Sequence, residues 1–212
     1  MRPLAYSHAK TTGQITRDHD IEVVSGDWTG LSFPIYSLVG GKWTSFRAFS
    51  EQTTDKSPAY LGLQRKKSTA ELPICGGRGF TWDEKELRRK LESLCAWTGI
   101  PMERLRALYE GYGSRAEVIS EYIKHEQDEL LKTVVGYSRR EIEFLAKHEK
   151  VVHLDDLILR RSMIAMLGRL NRDGVDEFSG ILINTLNWTG EQREAEAARV
   201  LSILADRHGV RL

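Results

Sequence analysis

The stretch Gly40-Gly41-Lys42-Trp43-Thr44-Ser45-Phe46-Arg47 places a compact cation behind two glycines, where one periodicity gives way to another. Before it, residues 33–39 form an apolar, β-prone run. After it, Phe46, Phe49, Thr53 and Thr54 follow a helical spacing. A strand, a tight turn and a helix start therefore meet here. Such a corner offers backbone N–H groups and a positive dipole end, and its glycines let a ligand approach the main chain. The chemistry it suits is the holding of an anion, or of negative charge as it develops. An ordinary turn with a solvated lysine satisfies the same spacing, so the motif alone does not decide. Arg2, Arg17 and His19 are the other groups of interest upstream. A chain-end arginine and an arginine beside Asp18 are usually solvated and surface ion pairs contribute little, but a phosphate dianion needs two or more fixed cations, which guanidinium forks suit.

The elements that must position these groups follow from composition and pattern. The chain has 212 residues, 41% hydrophobic and 29% charged, enough for one large or two small domains with a buried core. Its 31 basic and 30 acidic residues are well mixed, which removes any global argument for nucleic acid or an anionic membrane. No apolar run reaches the length of a membrane span, and residues 1–10 lack the core of a secretory signal; a cytoplasmic protein is expected. Cys75 and Cys95 support neither a disulfide framework nor a zinc site, and His148 and His153, five apart, miss the spacing of a metal pair, so no metal is expected. Residues 15–24 alternate as a strand, with turns at Ser25-Gly26-Asp27 and Thr29-Gly30 leading to the strand at 33–39, a hairpin that delivers the chain to Gly40. Residues 56–69 read as a charged stretch beyond the first helix, with Arg65-Lys66-Lys67 a solvated face, and Gly76-Gly77-Arg78-Gly79 as flexible linker rather than a phosphate loop.

From Thr81 the pattern is helical. Thr81-Trp82-Asp83-Glu84 reads as a capping box before Leu87, Leu91, Leu94 and Cys95. Pro101 opens a helix that ends at Gly111, and Ser114-Arg115-Ala116-Glu117 and Ser138-Arg139-Arg140-Glu141 cap the next two. Asp155 or Asp156 starts a helix expected to run through Arg160-Arg161 to Leu167; Val175, Phe178, Ile181 and Leu182 mark another, and Thr189-Gly190-Glu191-Gln192 caps the last, ending near Gly209. The expectation is an α+β chain with a mainly α-helical C-terminal bundle after a small strand, turn and helix element. Its parts are residues 1–70, a linker at 71–80 and a helical domain at 81–212. Arg160 and Arg161 point about 100° apart on a helix, so one is expected to reach a carboxylate such as Glu149 while the other meets solvent.

Several literal strings in this order carry a resemblance. Arg2-Pro3-Leu4, then Ile15-Thr16-Arg17-Asp18-His19, then Gly40-Gly41-Lys42-Trp43-Thr44, then Thr69-Ala70-Glu71-Leu72-Pro73 with Gly76-Gly77 resemble the end of the substrate and flavin domains of FAD-dependent glycerol-3-phosphate dehydrogenases and α-glycerophosphate oxidases. Tyr112-Gly113-Ser114, His148-Glu149 and Leu154-Asp155-Asp156 through Arg160-Arg161 resemble signatures of that family's C-terminal domain. The resemblance runs from Arg2 to about Leu170. It implies that residues 1–70 are the last part of a flavin domain of the GR2 type. It further implies that Arg2, Arg17 and Lys42 hold glycerol 3-phosphate, that Lys42 is catalytic and lies beside the flavin, and that Gly40, Gly41, Lys42, Trp43 and Thr44 contact FAD. Lys42 would offset charge on the substrate oxygen as the hydride leaves, and a helix N-terminus at the corner would favour the reduced flavin. The resemblance also lets His19 donate to or accept from the substrate hydroxyl; since the family pattern admits tyrosine there, an obligatory base is not implied.

No strand-Gly-rich-turn-helix with GxGxxG precedes these motifs, so the chain reads as the C-terminal segment of such an enzyme. It is expected to need a separate N-terminal FAD-binding half for activity and to hold no FAD alone. Self-association and a peripheral seat at the inner face of the cell membrane are left open. The alternative reading is a non-catalytic helical module that binds a partner.

Overall fold

The computed structural model describes residues 18–40 and 42–212, with the side chain of Trp43 left out; Arg2, Arg17 and Gly41 lie outside the described residues. The chain divides into two compact units, Met1–Pro73 and Ile74–Leu212. It is an α+β chain, mainly helical, with one small sheet near its start.

In the first unit β1 (His19–Val24) pairs antiparallel with β2 (Ile35–Gly40), in a register that sets His19 opposite Gly40 and Val24 opposite Ile35. The expected turn between them is a short helix, α1 (Gly26–Thr29), closed by Gly30 at φ 70°. Gly26 is needed there because a Cβ would stand 2.1 Å from the Leu31 carbonyl oxygen. Past Gly40, a 3-10 turn over Trp43–Ser45 leads into α2 (Phe46–Tyr60). This helix runs further than the sequence suggested: Lys56 to Tyr60 belong to it. Pro58 falls in its last turn, where its missing N–H removes one i to i−4 hydrogen bond just before the helix ends. Nor is Arg65 simply solvated. It bridges back to Glu51 at 2.5 Å and Asp55 at 2.6 Å on α2, while Arg47 donates to the carbonyls of Thr69, Ala70 and Leu72, so that the stretch after α2 is strapped along it. The Thr69 amide, the Ser68 hydroxyl and Arg65 together hold the Glu51 carboxyl below its usual range.

The second unit is a bundle of α3 (Glu84–Thr98), α4 (Met102–Tyr112), α5 (Ala116–Lys124), α6 (Arg139–His148), α7 (Leu154–Asp156), α8 (Arg172–Thr185) and α9 (Gly190–His208). Two apolar clusters fill it. One gathers Leu87, Leu91, Leu105, Leu108 and Ile119 of α3, α4 and α5, and the other Leu154, Leu157, Val175, Phe178 and Leu182 with Val200 and Leu204 of α9. Helix α6 lies between them, giving Phe144 to the first and Ile142, Leu145 and Ala146 to the second. Because both faces of α6 are covered, its charged residues Arg140 and Glu141 are buried as well, and each must be paired. Arg140 meets Glu126 at 3.0 Å and Glu143 at 2.8 Å and lies over the Tyr122 ring at 4.1 Å.

Several expected boundaries move. The capping boxes at Ser138 and Thr189 form as read. Thr81 does not cap α3: Asp83 does, accepting from the Glu86 amide, while Thr81 donates its hydroxyl to the Glu86 carboxylate. Ser114 does not cap α5 either, because a 3-10 turn over Gly113–Arg115 feeds that helix and the Ser114 hydroxyl donates to the Gly76 carbonyl instead. The helix expected from Asp155 to Leu167 starts one residue earlier, at Leu154. After Asp156 it widens to a π-helix over Leu157–Arg161, then stops at Ser162 in an extended conformation. Gly76 is not flexible linker. The turn Cys75–Gly77 docks on Tyr112 and Gly113 so closely that a Cβ on Gly76 would lie 1.9 Å from the Tyr112 carbonyl oxygen, and one on Gly113 2.4 Å from that of Gly76. Only a pair of glycines permits this backbone contact.

Candidate functional site

Two places gather chemistry, one in each unit. In the first unit the alternation of 19–24 and 35–40 folds the hairpin so that His19 ends beside Gly40, at the corner that carries Lys42. The His19 ring stacks on Phe49 of α2 with centroids 4.3 Å apart, and its Nε2 lies 2.7 Å from the Gln52 side-chain oxygen, which fixes the ring. Gly40 adopts φ 74°, a left-handed conformation that suits glycine. Ser45 closes the corner: the Lys42 amide donates to its hydroxyl at 3.3 Å, and that hydroxyl donates to the Lys42 carbonyl at 3.0 Å. The corner is thus a 3-10 turn rather than the start of an α-helix, and one of the N–H groups expected there to meet a ligand is occupied. The Lys42 side chain is exposed, with no carboxylate paired to its ammonium among the described residues. Thr44 is exposed in the same turn. The structure thus brings His19, Gly40, Lys42 and Thr44 to one end of the hairpin. Arg2, Arg17 and Gly41 lie outside the described residues, and of Trp43 only the backbone is described.

The second place is a cleft of about 710 Å³ in the helical unit, bounded by the Cys75–Gly77 turn, α4, α6 and the π-helix. Its aromatic lining is Phe80, Tyr112, Tyr137 and Phe144. Glu141, buried on α6, accepts from the Tyr112 hydroxyl at 2.5 Å and from Arg104, and Arg104 also donates to the Gly136 carbonyl at 2.5 Å. Burial, then the Glu141 charge, push the Tyr112 phenol far up, so it stays a neutral donor. Tyr137 is raised too, chiefly by burial. Neither pair was legible beforehand. Tyr112 read only as part of a signature and Glu141 only as a capping residue.

The arginine pair on the π-helix differs from expectation. Arg160 reaches Asp155 and Asp156, each at 2.8 Å, and Arg199 of α9 also holds Asp155 at 3.0 Å. The i to i+5 contact between Asp155 and Arg160 is what the wider π turn provides, since an α-helix would favour i+4. Arg161 donates its Nε to the Glu149 carbonyl at 2.7 Å, and the Glu149 carboxylate is taken by Arg115 at 3.0 Å. Burial raises the Asp155 carboxyl, but the hydrogen bonds from Arg160 and Arg199 outweigh it and leave that group below the usual range. Among the described residues no group of three or more His, Cys, Asp and Glu is placed to hold a metal ion, and no helix is long and apolar enough to cross a membrane. Cys75 and Cys95 are both free.

Residues 67–193, more than half of the chain, match the family described as the C-terminal domain of alpha-glycerophosphate oxidase. The chain belongs to that family. The matched span includes the Gly76–Gly113 contact, the Tyr112–Glu141–Arg104 cluster and the π-helix, so these are features of an alpha-glycerophosphate oxidase C-terminal domain. Similar curated proteins include a probable glycerol-3-phosphate dehydrogenase of Encephalitozoon cuniculi, 26% identical over 216 residues, 100% of this chain and 33% of that protein. A glycerol-3-phosphate dehydrogenase of Mycobacterium leprae is 25% identical over 207 residues (93% and 33%), and one of Pseudomonas aeruginosa 27% over 168 (78% and 31%). The chain spans about a third of the length of these relatives.

Proposed function

We propose that this chain is the C-terminal segment of an FAD-dependent glycerol-3-phosphate dehydrogenase, inactive until joined by a portion that carries the dinucleotide-binding unit. Residues 1–70 would supply substrate and flavin contacts, followed by the linker 71–80 and a helical C-terminal domain at 81–212. The observation that carries this reading is the hairpin register, which sets His19 opposite Gly40 and so puts the imidazole and the Lys42 corner at one end of the same element. The donor set fits the cofactor. A left-handed glycine and an exposed lysine whose ammonium has no carboxylate partner among the described residues suit a flat group that gains negative charge. Uncovered apolar side chains on and near the hairpin, among them Val23, Leu38, Phe33 and an 88% exposed Trp28, agree with a sheet that needs further strands, since a two-stranded hairpin alone is marginal.

When bound, FAD supplies hydride acceptance from C2 of glycerol 3-phosphate. Gly40, Gly41, Lys42, Trp43 and Thr44 are the residues that would hold it. Arg2 and Arg17 take the substrate phosphate together with Lys42. The Lys42 ammonium also stabilises the substrate oxygen as it gains charge, an interaction stronger in the transition state than before it. His19 is oriented by Gln52 and Phe49 and contacts the substrate hydroxyl, acting as a positioning group. The test is to mix the purified chain with the flavin-bearing portion of a family member and measure glycerol-3-phosphate-dependent reduction of an artificial acceptor. Activity in the mixture and none in either part is expected. A stoichiometric flavin complex of the chain alone would contradict the expectation that it holds no FAD by itself, and no activity from a mixture that forms a stable flavin-loaded complex would favour a non-catalytic helical module.

A further inference from the structure

The charges around the helical unit's cleft do not balance, and the imbalance is local. Five arginines and two glutamates border it. Arg104 is satisfied by Glu141, Arg115 by Glu149, and Arg160 by Asp155 and Asp156. That leaves two arginines that pair with no carboxylate among the described residues: Arg161, whose one hydrogen bond there runs from Nε to a backbone carbonyl, and Arg169. Both line the same cleft. Beside them the neutral Tyr137 hydroxyl accepts from the Met163 amide at 3.2 Å, and no acceptor takes its own proton among the described residues. The lining also includes the apolar Phe80 and Phe144, and Val135, which is 81% exposed. The π-helix that presents Arg161 is a second, independent sign, because such wide turns are unfavourable and recur at functional sites.

We propose that this cleft is a binding site for a phosphomonoester carried on an apolar body, with Arg161 and Arg169 gripping the dianion and the aromatic wall covering the rest. Two guanidiniums without carboxylates suit two negative charges, and the volume of about 710 Å³ falls in the range of small-ligand sites. Arg169 is exposed and makes no side-chain hydrogen bond or ion pair among the described residues, so it brings charge to the cleft. The site lies wholly within residues 74–212 and does not depend on the flavin chemistry proposed for the other unit. A soluble phosphorylated metabolite and a phosphatidic acid headgroup present the same chemistry.

The experiment is calorimetric titration of the full chain with phenyl phosphate, with benzenesulfonate as the monoanion of similar shape. Cosedimentation with phosphatidylcholine vesicles carrying phosphatidic acid is a second arm. Phenyl phosphate should bind and benzenesulfonate bind at least about tenfold more weakly, and Arg169→Gln and Arg161→Lys should each weaken phenyl phosphate by about tenfold or more. Arg89→Gln, on a different cleft of the same unit, should change nothing. Arg169 is exposed, so Arg169→Gln should keep the fold, and circular dichroism checks both variants. Vesicle binding that needs Arg161 and Arg169 would identify a lipid source, and binding of phenyl phosphate alone a soluble one. No binding in either arm, equal binding of benzenesulfonate, or binding untouched by both replacements overturns the proposal.

Discussion

Replacing Gly76 by alanine tests a close backbone contact in the helical unit. The added Cβ would lie 1.9 Å from the Tyr112 carbonyl oxygen, and real Cβ contacts stay beyond 3.0 Å, so the Cys75–Gly77 turn must retreat by more than 1 Å. The Ser114 hydroxyl donates to the Gly76 carbonyl at 3.1 Å, a bond that does not survive such a shift. One lost hydrogen bond costs about 1 kcal/mol, and the lost close packing between Gly76 and Gly113 adds a similar amount, for a total of about 2 kcal/mol. The cost has a ceiling, because the turn can leave while the helices stay packed. At about 3 °C per kcal/mol for a unit of this size, the thermal midpoint should fall by roughly 6 °C or less. Hydrogen exchange localises the effect through the Thr81 amide, which donates to the Tyr109 hydroxyl at 2.8 Å and should lose protection. Gly111→Ala is the control of opposite sign: it sits inside α4 with nothing within 4 Å of its Cβ, so alanine should stabilise by about 0.5–1 kcal/mol. A Gly76→Ala chain with the parent midpoint and unchanged Thr81 protection would refute the docking of this turn.

Two further predictions concern buried charge. Asp155, its side chain 3% exposed between Arg160 and Arg199, has a folded pKa below its unfolded value, so it adds stability that is complete above about pH 4 and fades as pH falls through the lower folded value. Asp155→Asn should therefore cost about 1–3 kcal/mol at pH 7, below the full buried-pair penalty because both arginines are half exposed, and should flatten the acid limb seen in urea titrations below pH 4; an unchanged limb would contradict this. Tyr112→Phe removes one donor from Glu141 but leaves Arg104, and should cost about 1–2 kcal/mol, whereas Glu141→Gln breaks the buried pair and should cost about 3 kcal/mol. Urea midpoints with unchanged slopes measure both, and equal costs would show that Arg104 does not depend on Glu141.

Much of the bundle was legible because stripes such as Leu87 and Leu91, or Val175, Phe178 and Leu182, repeat at helical spacing, and because Ser138 and Thr189 carry complete capping boxes. Misreadings arose where a side chain found a better distant partner than its local motif offered. Thr81 and Ser114 have capping side chains, but Asp83 wins the first cap, and the hydroxyl of Ser114 is drawn to Gly76, 38 residues away. Local pattern carries no information about such contacts. The π-helix was hidden for a similar reason: Asp155-Asp156 and Arg160-Arg161 satisfy an α-helical spacing, and only Arg199, arriving from α9, reveals that Asp155 has a second arginine to satisfy. At the corner, Gly40 and Lys42 were readable from the change of period, yet the 3-10 turn was not, since Ser45 folding back on Lys42 looks in sequence like any residue near a helix start.

The central claim is that Lys42 and Arg17 act on glycerol 3-phosphate in an enzyme that contains this chain. The direct measurement is steady-state reduction of an artificial acceptor by the complete flavin-loaded enzyme carrying Lys42→Met or Arg17→Ala, with glycerol as the substrate that lacks the dianion. Lys42→Met should mainly lower kcat and Arg17→Ala mainly raise KM. Each should lose about 1.5–3 kcal/mol of transition-state stabilisation, roughly ten- to a hundredfold in kcat/KM, while the parent's preference over glycerol shrinks in Arg17→Ala. Values of kcat/KM for glycerol 3-phosphate within about twofold of the parent in both variants, under roughly 0.5 kcal/mol, would contradict the roles given to these two residues.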